Sequence, residues 1–235
     1  MTDGFSYTSA EVLGVRWIGL CLCVCLLFQM PGCARATDGK VRSGTVLIDP
    51  GHGGFDGGTV AEDGTLEKHL NLAVSLYLRD LLRVCGVAVD MTRQTDTGLE
   101  TDSSATVRNK KSTDMRRRLA MYEEASLVIS VHQNHFSQSK YSGTQVFYSS
   151  NHSGSVLLAE DIRSAVVEWI QPQNTRELKK ATDSIFLLTH TATPAVLVEC
   201  GFLSNEEERN KLKMPAYQQQ LAFAIMAGYW TYQTQ

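Results

Sequence analysis

Three uninterrupted apolar runs constrain how this chain can fold: TVLID (45–49), LVISV (127–131) and AVLVE (195–199). A strand with one wet face alternates apolar and polar residues. These runs do not, so each reads as a strand covered on both faces. Between the first two, Leu66, Leu70, Ala73, Leu76, Tyr77, Leu81 and Val84 recur at helical spacing. Thr65 stands where an N-cap is expected, and Gly86 lies just past the end. VAVDMT (87–92) reads as another strand, and the alternating GTQVFYS (143–149) as a strand nearer an edge. Further helices are expected over about 114–124, over 153–170 with a stop near Pro172, and over 216–232. The polar stretch 94–113 reads as an exposed loop. Strands alternating with helices predict an α/β fold, a mostly parallel sheet with helices on both faces.

Open sheets of this kind gather ligands beyond the carboxyl ends of their strands. His52 follows the first run, His132 follows the second, and Glu199 ends the third. His52 sits in DPGHGGFDGG, where glycines permit close backbone approach. The same segment fails as a dinucleotide phosphate cradle, because Asp56 occupies the last glycine position. Asp49 and Asp56 are both candidates to orient the second ring nitrogen of His52. Glu67 falls in the first turn of the first helix. An acid there is ordinarily explained by the positive helix end, but a helix returning from the His52 loop also aims it at the strand ends. His132 and Asn134 share one direction if the strand persists, and His135 opposes them as a second-choice ligand. Two histidines and a carboxylate (His52, Glu67, His132) make a three-ligand zinc set with an open position. Glu199 is then the base for a metal-activated water, which points to amide hydrolysis. Asn134 is a candidate contact to substrate amides. His69, His152 and His190 read as surface or turn residues, and Cys200 as a packed small residue.

The chain has 235 residues and a net charge of −3, with no basic footprint for nucleic acid. Residues 17–30 read WIGLCLCVCLLFQM, a stretch of signal-peptide length and short for a membrane span. Ala34-Arg35-Ala36 matches a cleavage site. Three readings stay open: a cleaved signal, an uncleaved anchor as the only membrane contact, and lipidation at Cys33. All put the body outside the cytoplasm. The expected division is 1–36 signal or anchor, 37–43 linker and 44–235 catalytic domain. Four of the six cysteines lie in the leading segment. Cys85 and Cys200 remain in the body and do not form a disulfide framework.

The segments VLIDPGHGGFDGG, LEKHLNLAVSL, DMRRRLAMYEEASLVISVHQN and TPAVLVECGFLSNEEE resemble the zinc-dependent N-acetylmuramoyl-L-alanine amidases of bacterial cell walls. The resemblance runs from about residue 44 to the C-terminus. It implies zinc ligands at His52, Glu67 and His132, a catalytic Glu199, and about six strands. The implied partner is peptidoglycan, cut between muramic acid and the first L-alanine of the stem peptide. An accessory activator protein is left open. HQN (132–134), NTREL followed by DSIFLL, and VECGFLSN are similar to the spore-cortex, CwlD-like subgroup. That subgroup acts in cortex maturation, through muramic-δ-lactam, and hence in germination. Common family members read HAN where this chain has His132-Gln133-Asn134. Two rivals remain. One is another zinc amide hydrolase, such as a carboxypeptidase or deacetylase. The other is a catalytically silent wall-binding or regulatory protein on the same fold.

Overall fold

A computed structural model describes residues 44–100 and 104–235. The expected signal or anchor, its lipidation alternative and the linker lie outside the described residues. The elements run β1 (Val46–Pro50), α1 (Glu67–Val84), β2 (Val89–Met91), α2 (Val107–Glu124), β3 (Leu127–Asn134), β4 (Gln145–Tyr148), α3 (Gly154–Trp169), β5 (Lys179–Lys180), α4 (Phe186–His190), β6 (Ala195–Phe202), α5 (Glu206–Leu212) and α6 (Pro215–Gln233). One six-stranded sheet has the order β2-β1-β3-β6-β4-β5. All pairings are parallel except β4 with β6.

The three apolar runs become the central strands β1, β3 and β6, side by side. Alternate residues feed two cores. Ile48, Ile129 and Val198 face Leu78, Ile162 and Ile225 of α1, α3 and α6. Leu47, Val128 and Leu197 face Tyr122 and Leu188 of α2 and α4. Both sides being covered is why these strands show no polar alternation.

Two expectations need correction. Leu66, not Thr65, caps α1, and it does so without a side-chain bond. Gly86 closes the helix as expected, at φ +81°. Helix α2 begins at Val107, inside the stretch read as loop, with Thr106 accepting a hydrogen bond from Asn109 N. Its buried residues are Asp114, Arg118 and Tyr122. A helix whose inner face is polar carries no apolar stripe to read. Strand β4 lies next to the edge, in keeping with its alternating pattern. The two-residue, exposed Lys179–Lys180 strand lies outside it, short and charged as sheet edges often are. Helices α4 and α5 are too short to show periodicity.

Candidate metal centre

Strand β1 ends at Pro50 and the chain leaves the sheet through Gly51 and His52. His52 is the one non-glycine among the described residues with positive φ, at +62°. Its Nδ1 meets Asp56 Oδ2 at 2.9 Å, and its Nε2 lies 3.3 Å from Glu67 Oε1. Asp56, not Asp49, therefore orients the ring. Asp49 is fully buried below the site, bonded to Thr92, Tyr122, Ser130 and Arg118. Burial opposes its charge, but Arg118 and the two hydroxyls of Thr92 and Tyr122 outweigh it and hold its carboxyl at about 2.

Glu67 opens α1 and is buried. Its Oε2 accepts from Thr59 N at 2.8 Å. Its Oε1 meets His132 Nδ1 at 3.0 Å and Gln133 N at 3.1 Å. Burial disfavours the charge, yet the hydrogen bonds with His132 and His52 keep this carboxyl far below the usual range. Burial likewise pulls the His52 imidazole down, and Asp56 and Glu67 together reverse that and set it at about 9. One ligand-competent atom from each of His52, Glu67 and His132 lies within 4.8 Å of the others. Two ring nitrogens thus converge on one carboxylate oxygen, a donor set able to hold a divalent metal ion.

The surrounding backbone is shaped to this cluster. A Cβ on Gly51 would sit 2.2 Å from His132 Cε1 and Nε2. A Cβ on Gly58 would sit 2.7 Å from both Glu67 Oε2 and His52 Cδ2. These two glycines leave room for the two imidazoles and the carboxylate themselves.

Glu199 is the cross-strand partner of His132 in the β3–β6 ladder. Paired residues project to one face from strands about 4.8 Å apart. Its Oε2 is enclosed and without a hydrogen-bond partner. Burial pushes this carboxyl up, His132 offsets part of that, and the result is about 7. A carboxyl poised there can accept a proton near neutral pH and return it.

Asn134 ends β3, half-exposed, beyond a register shift between His132 and Asn134. His135 is exposed and does not join the cluster, and His69 lies outside it beside Asp96. Cys200 is buried, with burial pushing its thiol up to about 12, so it is no thiolate nucleophile. Asn71 is among the residues that escaped the sequence reading. Asn71 donates to Glu67 Oε1 and to Gly51 O, at 3.3 and 3.2 Å, and accepts from Gln133 Nε2. The signal was present: Asn71 is a polar residue one turn after Glu67 on the buried face of α1.

The family model described as N-acetylmuramoyl-L-alanine amidase matches residues 46–229. A germination-specific N-acetylmuramoyl-L-alanine amidase of Bacillus subtilis is 36% identical over 192 residues, covering 81% of this chain and 80% of the relative. The CwlD amidase of Clostridioides difficile, solved in complex with the GerS lipoprotein, superposes with a TM-score of 0.78 at 37% identity. That match covers 81% of this chain and 98% of that one. AmiA of Escherichia coli is 26% identical, covering 80% of this chain and 75% of the relative. This chain belongs to the N-acetylmuramoyl-L-alanine amidase family, with CwlD-like germination amidases among its relatives.

Proposed function

We infer that this chain hydrolyses the amide between the lactyl group of N-acetylmuramic acid and the first L-alanine of the peptidoglycan stem. The observation that carries this reading is the convergence of His52, Glu67 and His132 within 4.8 Å, with Glu199 opposite His132 on the next strand. In the proposal His52 Nε2, Glu67 Oε1 and His132 Nδ1 hold a zinc ion. When bound, zinc supplies a Lewis acid that lowers the pKa of water toward ~7 and polarises the amide carbonyl. Asp56 fixes the His52 tautomer by taking its Nδ1 proton in a hydrogen bond, leaving Nε2 with a lone pair to offer. Glu199 removes the proton of the attacking water and delivers it to the departing amine, which is otherwise a poor leaving group. Asn134, at the open end of β3, offers its amide to the substrate peptide.

The setting we propose is cortex maturation, with muramic-δ-lactam formation and a consequence for germination. The names of the Bacillus subtilis and Clostridioides difficile relatives support it. Action on wall polymer places the catalytic domain outside the cytoplasm. No helix among the described residues is long and apolar enough to cross a membrane. Any membrane contact in this reading belongs to the leading apolar segment. The relative solved with a lipoprotein also makes an accessory activator protein part of the proposal.

The test is incubation of the zinc-loaded full chain with purified peptidoglycan, followed by mass analysis. Free stem peptides beginning at alanine, absent when a chelator is added, are expected. Release of acetate or of single carboxyl-terminal amino acids would assign the site to the other amide hydrolases. Absence of any product, with zinc bound, would favour a silent wall-binding protein.

A further inference from the structure

Beneath the metal-competent cluster, three consecutive carbonyls point into the protein and are held by two buried arginines. Pro50 O accepts from Arg93 Nε and Arg118 Nη1, both at 3.0 Å. Gly51 O accepts from Arg93 Nη2 at 2.9 Å. His52 O accepts from Arg118 Nη2 at 2.7 Å. Arg93 is 3% and Arg118 1% exposed. The rest of each guanidinium is also engaged. Arg118 Nε meets Asp114 Oδ2 at 2.7 Å and its Nη1 pairs with Asp49. Arg93 Nη2 also reaches Lys68 O at 2.8 Å, and its Nη1 reaches Thr95 O at 3.1 Å.

Two cations are buried side by side, directly under a cluster suited to a third, with the buried Asp49 and Asp114 paired to Arg118. Burial first, and the neighbouring Arg118 second, pull Arg93 down to about 10, against the opposing pull of Asp49, Asp96 and Asp114. Asp49 and Asp114 call for a cation beside them, but charge alone would not select arginine over lysine. Geometry does. Where β1 ends, the next carbonyls lose their ladder partners, and a buried carbonyl without a donor is costly. A guanidinium offers five donors in a rigid fork, so one side chain can bond successive carbonyls. A lysine offers a single point. The fork also opposes relaxation of His52, whose φ of +62° a non-glycine residue adopts only when its surroundings hold it there. If that φ relaxed, the ring would swing away from Glu67.

We propose that Arg118, aided by Arg93, is a positioning pair. It clamps the Pro50–His52 carbonyls, fixes the backbone conformation of His52, and thereby sets the affinity of the cluster for a divalent metal. The inference rests on the reading of His52 as a ligand.

The experiment measures the zinc dissociation constant of the full chain by competition with a chromogenic chelator, and the urea unfolding of the metal-free protein. Arg118→Lys keeps a positive charge beside Asp49 and Asp114 but cannot reach both Pro50 O and His52 O. It is expected to weaken zinc binding at least tenfold, the scale on which groups supporting metal ligands act. Thr92→Val is the control. It breaks bonds to Asp49 and Arg118 in the same network, at 2.6 and 3.3 Å, without touching the loop carbonyls. It is expected to lower unfolding stability while zinc binding stays within threefold. A merely structural role for Arg118 would lower stability in both variants and leave zinc binding unchanged in both, which would overturn the proposal. Should Arg118→Lys not fold, Arg93→Lys carries the same measurement through Gly51 O, with the same two outcomes. His52→Ala separates this from the site reading. Full zinc affinity in His52→Ala sinks the ligand assignment. Lost affinity there, with wild-type affinity in the arginine variant, sinks the clamp alone.

Discussion

Gly51→Ala offers a stringent check on the pose of His132. Gly51 is not among the positive-φ glycines, so alanine meets no backbone objection there. The whole effect comes from one methyl group placed 2.2 Å from His132 Cε1 and Nε2. Ordinary carbon contacts need about 3.5 Å, so the ring must retreat by roughly 1 Å. Backbone pairing of β3 with both β1 and β6 holds the residue in register, leaving side-chain rotation as the main escape. Rotation carries Nδ1 away from Glu67 Oε1, from which it now stands 3.0 Å. Zinc–nitrogen bonds tolerate only about 0.2 Å of error. Zinc affinity should therefore fall by at least tenfold, and overpacking should destabilise the metal-free protein by about 1–3 kcal/mol.

A double-mutant cycle isolates the clash. In a His132→Ala background the methyl fills space instead of colliding with a ring. Gly51→Ala should then be neutral, or stabilise by about 0.4–1 kcal/mol through the unfolded chain. The coupling between the two sites should come to about 1–3 kcal/mol, within the span of roughly 0.5–3 kcal/mol for groups in contact. Urea unfolding gives the stabilities and chelator competition gives the zinc constants. Wild-type zinc affinity in Gly51→Ala, or additive stabilities across the cycle, would refute the placement of His132 over Gly51 and with it this residue's assignment as ligand.

Other outcomes test neighbouring parts of the argument. Glu199→Gln should lower turnover on peptidoglycan by about 10²–10⁴-fold, the usual weight of a general acid–base group. Zinc binding should remain within threefold, and a normal rate would reassign the base. Asp49 is held at about 2 against an ordinary 3.8. A folded-state pKa below the unfolded one contributes stability above pH ~4 that is lost as pH falls toward 2. Urea unfolding of the metal-free protein should show about 1 kcal/mol of that loss between pH 5 and pH 3, and Asp49→Asn should lack this component of the slope. Thr106→Ala removes the side-chain cap of α2 and should cost about 1 kcal/mol of stability, with zinc affinity unaltered. No effect would argue that the helix starts later, where the apolar pattern first hints at it.

The candidate residues His52, His132 and Glu199 were legible because each lies at or just past the end of an apolar run, and the chain ends its parallel strands on one edge of the sheet, whereas Glu67 opens a helix and stood out only in combination with them. His52, His132 and Glu199 needed only that rule to be brought together. What holds them was less visible, for one physical reason. Supporting groups act through backbone atoms and through buried polar contacts, and neither leaves a periodic trace. Arg118 lies in the run DMRRRL, where three arginines look alike in sequence. Only the fold turns it inward to His52 O, while Arg116 and Arg117 stay exposed. Gly51 read as one of several glycines permitting close backbone approach, and what the sequence did not show is that an imidazole occupies the space of its missing Cβ. Asp49 and Asp56, equal candidates by position, separate only by pleat. Asp49, still within β1, projects with Leu47 to the α2 side and meets Arg118, whereas Asp56 follows the glycine turn that returns it to the ring of His52. The same turn that frees His52 from the sheet takes its neighbours' carbonyls out of the ladder. A ligand offered beyond a strand end therefore brings with it a need for buried donors, and this chain answers that need with arginine forks under the metal-competent cluster.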